Sequence, residues 1–192
     1  MNEFLMQKIR TLSVVRNKPA LFLATAVLAL LAGSAMAQIQ SQHEEESDQV
    51  KAWQEQPVEL PAAPDASALL HFDITPNTSQ RFHIDPKALT VGTDGVVRYT
   101  LVAHSSAGAA SISYEGIRCQ TLEKKLYAFG RADGSWSRAR RDEWQPIFKN
   151  AANRQHVTLA QDYFCRDGQV AGKSSEIINR IRSHRPLPVS GN

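Results

Sequence analysis

Cys119 and Cys165 are the two cysteines of this 192-residue chain, 46 positions apart. What they can do depends on where the chain goes. Residues 1–37 read as an export signal. Lys8, Arg10, Arg16 and Lys18 make a positive start, Ala20 to Ala32 is an uncharged run of 13 residues, and Ala35-Met36-Ala37 supplies the small-x-small pattern of a cleavage site. Cutting between Ala37 and Gln38 is expected. The apolar run is shorter than the ~20 residues a membrane span needs, so no stable span is expected after processing. In an exported chain an even cysteine count reads as a disulfide, and one pairing is open. Such a bridge would tie the end of a strand to the end of a helical stretch. In the chain-entropy model it would stabilise by roughly 4 kcal/mol. The alternatives are a redox pair, a metal site or free thiols. A redox pair usually uses Cys-x-x-Cys, which this spacing does not approach.

Losing the signal changes the charge. Removing Lys8, Arg10, Arg16, Lys18 and Glu3 from totals of 22 basic and 19 acidic residues leaves 18 of each. The basic character of the full chain therefore gives no argument for nucleic acid as a partner. The remaining charge is segregated. Gln38 to His71 carries seven acids against Lys51 alone, and Phe72 to Asn192 carries 17 basic and 11 acidic residues. An acidic arm beside a basic body is the expected layout. The arm, residues 38–68, holds three prolines between Pro57 and Pro64 and should run extended, with one helical turn near Val50 to Gln56. Trp53 should pack onto the body, since a wet aromatic gains nothing. Two pictures stay open: a solvated leader, or an arm that lies on the body and screens a basic face. In either case, removing Gln38 to Ala66 is expected to leave a folded domain.

The body is expected over 69–185, with 186–192 as a flexible tail. Phe72, Ile74, Phe82 and Ile84 alternate with polar neighbours, as strands do. After the Gly92-Thr93-Asp94-Gly95 turn, Val96 to His104 reads as a strand with Val97, Tyr99 and Leu101 on one face. Val96, Arg98, Thr100 and Val102 take the other. Ala110 to Arg118 and Leu122 to Gly130 follow as strands, antiparallel across short turns. Gly116 could mark a bulge, with Glu115 and Arg118 beside it, open to pairing with each other or across the sheet. Ala151 to Phe164 reads as helix. Ser175 to Ser183 is a clearer one, with Ser174 or Ser175 as cap and Pro186 beyond its end. Strands first and helices last give an α+β fold: a small antiparallel sheet packed with two or three C-terminal helices, covered on one face, with one disulfide.

Chemical motifs are sparse. His71-x-Asp73 and His83-x-Asp85 put imidazole and carboxylate on one strand face, but no third ligand is evident and no metal site is assigned. Ser105 and Ser106 follow His104 without the nucleophile elbow of a hydrolase. Neither a phosphate loop nor His-Glu-x-x-His is present, and no cofactor is implied. The strongest candidate is the basic stretch Arg131 to Arg141. Arg131, Arg138, Arg140 and Arg141 surround Trp136, with Arg118, Lys124 and Lys125 nearby. Guanidinium groups grip carboxylates or phosphates two-pronged, and Trp offers a flat face.

Four ordered blocks carry a family resemblance: Asp94-Gly95-Val96-Val97-Arg98-Tyr99-Thr100-Leu101; Tyr114-Glu115-Gly116-Ile117-Arg118-Cys119; Tyr127-Ala128-Phe129-Gly130 with Asp133-Gly134-Ser135-Trp136; and Asp162-Tyr163-Phe164-Cys165. Between Leu69 and Arg182 the chain resembles the cryptic-neisserial-protein-like family, small exported proteins of Gram-negative bacteria. The resemblance implies a periplasmic location. It brings no activity, substrate or catalytic residue. Some members look like lipoproteins, and this chain lacks the cysteine that would need.

The leading functional expectation is a non-enzymatic binding or structural module of the cell envelope. It would meet an anionic glycan or an acidic protein through Arg118, Arg131, Trp136, Arg138 and Arg140. The alternative is a hydrolase acting on an envelope polymer, with Glu115 or Asp94 as acid or base. A cleft with a buried carboxylate would favour the enzyme, and a shallow basic face with exposed Trp136 the binder.

Overall fold

Alternating side chains build the centre of the molecule. The computed structural model describes residues 52–74 and 78–188. The signal, its cleavage site at Ala37 and Gln38, the arm before Ala52 and the last four residues lie outside the described residues. Strands β1 (Leu70–Phe72), β2 (Arg81–Ile84), β3 (Thr90–Val91), β4 (Val96–His104), β5 (Ala110–Arg118), β6 (Glu123–Gly130), β7 (Trp136–Arg138) and β8 (Gln145–Pro146) form one sheet. Its order is β1-β2-β4-β5-β6-β7, with β3 on β4 and β8 on β6. Each of these pairings is antiparallel. The turns before β4 and β7 use Gly95 and Gly134 at φ 76° and 82°, a backbone that side chains resist.

The helical part follows the sheet. A 3-10 turn (Ala151–Asn153), α1 (Arg154–Thr158) and a π-helical turn (Leu159–Phe164) run on continuously. The Ala151 to Phe164 segment is thus helical but not regular, as its mixed apolar spacing would suggest. The hairpin of β9 (Cys165–Arg166) and β10 (Gln169–Val170) leads into α2 (Ser174–Arg182). Neither serine caps α2. The helix starts after Lys173, whose N–H donates to Glu176 Oε2 at 2.6 Å, a carboxylate reaching back over the first turn. Phe72, Ile84, Tyr99 and Ile117 from the sheet meet Leu159, Phe164, Ile177 and Ile181 in one buried cluster. Cys119, just past β5, is disulfide-bonded to Cys165, with Cα atoms 5.3 Å apart. The fold is therefore α+β with one bridge.

Three local expectations are corrected. Residues 52–56 form no helical turn; Trp53, Glu55 and Gln56 bond to the body instead, which holds the chain extended. The β-bulge is one strand over from Gly116: Tyr114 pairs with Ala128 and Glu115 with Leu126, leaving Tyr127 as the extra residue. Gly116 makes room for it, since a Cβ there would lie 2.7 Å from the Tyr127 hydroxyl. Finally, β4 is buried along both faces from Val96 to Val102. The helices take one face and the arm lies over the other, so a sheet expected to be covered on one face is covered on both at β4, as the docked-arm picture requires.

Candidate functional site

Glu115 and Arg118 are three apart on β5, so they leave the sheet on opposite sides. They do not pair with each other: Arg118 meets Glu123 across the sheet at 3.9 Å, and each belongs to a different environment.

On Arg118's side the arm is held down by named bonds. Trp53 donates its indole N–H to the Asp94 carbonyl at 2.7 Å, and the Gln56 N–H donates to Asp94 Oδ2 at 2.9 Å. Arg118 stacks on the Trp53 ring with its guanidinium carbon 3.9 Å from the ring centre. Glu55 is the hub: it accepts from Lys125 Nζ at 2.8 Å, from the Tyr127 hydroxyl at 2.7 Å and from Trp144 at 3.3 Å. Lys125 also meets Asp142 at 2.7 Å, and Arg98 meets Asp94 at 2.6 Å. Burial pushes the Asp94 carboxyl up, but the Arg98 guanidinium and the Gln56 N–H outweigh it and leave it below the ordinary range. Asp94 is thus committed to anchoring and has no opening for acid–base work. Trp136 is likewise engaged, donating to the Pro61 carbonyl at 2.7 Å.

On Glu115's side the sheet is incompletely covered and a cavity of about 630 Å³ remains, within the ~300–1,000 Å³ usual for small-molecule sites. Glu115 and His156 line it. The buried Glu115 carboxylate accepts from Ser113 Oγ at 2.6 Å, His156 Nε2 at 2.8 Å and the Tyr99 hydroxyl at 3.0 Å. Burial pushes this carboxyl up, yet the hydrogen bond and charge of His156, then Ser113 and Tyr99, bring it below its ordinary value. Glu115 is therefore ionised at neutral pH. Burial first, then the charge and hydrogen bond of Glu115, push the Tyr99 hydroxyl well up, so it stays a donor. Around this floor stand Lys124, Arg138, Arg140 and Arg141, together with Glu143. Among the described residues these four cations make no ion pair and no side-chain hydrogen bond.

The five residues singled out from sequence do not share one face. Arg118 and Trp136 hold the arm. Arg138 and Arg140 border the cavity, Arg138 also touching the arm side. Arg131 is exposed in the turn before β7, 3.5 Å from Ser135 Oγ. Sequence reasoning missed His156, Tyr99 and Ser113 as Glu115's partners; the His156 pairing spans 41 positions and leaves no local pattern. Of the His-x-Asp pairs, His71 does meet Asp73 at 3.2 Å, while Asp85 accepts from the Lys87 N–H. No group of three His, Cys, Asp or Glu among the described residues could hold a metal.

No described helix is long and apolar enough to cross a membrane. No curated protein and no solved structure gives a match. A family model does match residues 48–182, a span that takes in the docked arm as well as the sheet, the floor of the cavity and both cysteines. With most of its length covered in this way, the chain belongs to the CNP1-like family, the cryptic-neisserial-protein-like proteins.

Proposed function

We propose that this protein is a non-enzymatic binding module of the Gram-negative periplasm, released there by cleavage after Ala37, and that it takes an anionic component of the cell envelope into the cavity above Glu115. One observation carries the reading. Lys124, Arg138, Arg140 and Arg141 ring the cavity without ion pairs among the described residues, whereas Arg98, Arg118 and Lys125 on the arm side each have a carboxylate partner. Clustered cations raise the local concentration of anions and grip them two-pronged. The test is affinity capture from envelope extract with wild type against Arg140→Ala/Arg141→Ala. Loss of recovered material is expected from the variant, and identical recovery from both would sink the reading.

A second reading rests on the Glu115–His156 pair. An ionised carboxylate holding an imidazole at a cavity wall is also how a general base is oriented, and the residues suit hydrolysis of an envelope polymer. Release of soluble fragments from purified envelope polysaccharide by wild type but not by Glu115→Gln would favour it. No release by wild type removes it.

A further inference from the structure

The cavity presents three chemistries at once, and together they narrow what it can hold. Its rim is dominated by donors: three guanidinium groups and one ammonium, none of which can accept a hydrogen bond, against the single carboxylate of Glu143. Its floor offers acceptors. An ionised carboxylate has about four acceptor positions, and Ser113, His156 and Tyr99 use three of them. The Glu115 side chain remains 10% accessible. Because a carboxylate can only accept, His156 Nε2 carries the hydrogen between them. The other ring nitrogen, Nδ1, is buried and has no partner among the described residues. The wall is apolar: Phe129, 49% exposed, and Leu126 both line the space.

We infer that the occupant is an acidic saccharide, bound with its carboxylate or phosphate at Arg138, Arg140 and Arg141, a hydroxyl or amino group donating to Glu115, and a ring face against Phe129. This rests on the proposed rim site and adds the ligand class. A sugar ring has hydroxyl donors at its edge and an apolar C–H face, so it meets all three surfaces. Polyphosphate has neither donors nor an apolar face. An acidic peptide satisfies the rim but presents no row of hydroxyls to the floor.

The test uses the exported chain and four probes in isothermal titration: an oligogalacturonate, the same oligomer with its hydroxyls O-methylated, polyphosphate and poly-glutamate. Methylation removes donors and keeps the carboxylates, so it probes the floor without a variant that could disturb the buried network. The oligogalacturonate should bind most tightly. Methylation should weaken it about tenfold or more, the loss expected for a hydrogen bond to a charged group. Arg140→Ala/Arg141→Ala should also abolish it. Equal affinity for the methylated oligomer, or tighter binding of polyphosphate or poly-glutamate, overturns the saccharide assignment and leaves the rim reading standing. Failure of every anion to bind, or binding indifferent to the two arginines, overturns both.

Discussion

The two faces of this sheet carry the same kinds of residue and use them in opposite ways. On the arm side, Arg98, Arg118 and Lys125 each have a carboxylate within 4 Å, and three aromatic residues seal the contact. On the helix side, Arg140, Arg141 and Lys124 stand round an open space with no such partner described. The difference teaches how to read a basic stretch. Arginine beside tryptophan is as compatible with internal glue as with a ligand grip, and what separates the two is whether the charge is already answered. Arg118 and Trp136 are answered by the arm, while Arg138 and Arg140 are left over.

The comparison breaks most severely if the arm is removed. Deleting residues 38–66 strips partners from Arg98 and Lys125, both nearly buried, and uncovers one face of β4. Loss of cooperative thermal unfolding is expected, contrary to the folded core that composition alone suggests. A truncated protein with unchanged near-UV circular dichroism and Tm would refute the claim that the arm is integral. Glu55→Ala is the single-residue version. Breaking a buried pair by removing one partner costs about 3–5 kcal/mol, and the 20% accessibility of Glu55 places this at the lower end, near 3 kcal/mol in urea denaturation. No measurable loss would show that Lys125 is content with Asp142 alone.

Gly116→Ala tests the fit behind the arm. Its Cβ would sit 2.7 Å from the Tyr127 hydroxyl and 3.0 Å from its ring, an overpacking worth about 1–3 kcal/mol. A neutral substitution would mean that Tyr127 and Glu55 move freely. Acid gives a gentler probe of both faces. Asp94 and Glu115 have folded-state values depressed below the usual 3.8 and 4.5. Their contribution is therefore fully present above those values and is lost as pH falls through the lower folded ones. Asp94→Asn should flatten the fall in stability below about pH 4; an unchanged slope would remove Asp94 from the arm's anchorage. The smallest effect belongs to the cavity rim. Arg140→Ala/Arg141→Ala should stay within about 0.5 kcal/mol of wild type, as exposed substitutions do, while losing anion binding. A large stability loss there would mean that these arginines are structural after all.

Legibility from sequence followed the range of the interaction. The Val96 to His104 strand was readable because a period of two is local, and both its faces are assigned correctly, with Val97, Tyr99 and Leu101 in the core. The bridge was readable because only one pairing existed. The α1 segment was half-readable: its apolar residues match no single period, and the structure resolves this by passing from 3-10 through α to π geometry. Glu55 with Lys125, Trp53 with Asp94 and Glu115 with His156 lie 70, 41 and 41 positions apart. Nothing in the neighbourhood of either partner announces the other, so the docked arm and the cavity floor emerge only in three dimensions. The bulge at Tyr127 escaped for a different reason: the glycine that suggests one is the cushion opposite it.

The disulfide also changes the distance between the two halves of the cavity floor in a chain that has not yet folded. Glu115 lies four residues before Cys119, and His156 lies nine before Cys165, against 41 along the open chain. With the bridge closed, bringing the carboxylate to the imidazole closes a loop about one-third as long, which lowers the entropic cost by about 1 kcal/mol. Oxidation thus does more than hold the finished domain: it shortens the search by which Glu115 and His156 find each other.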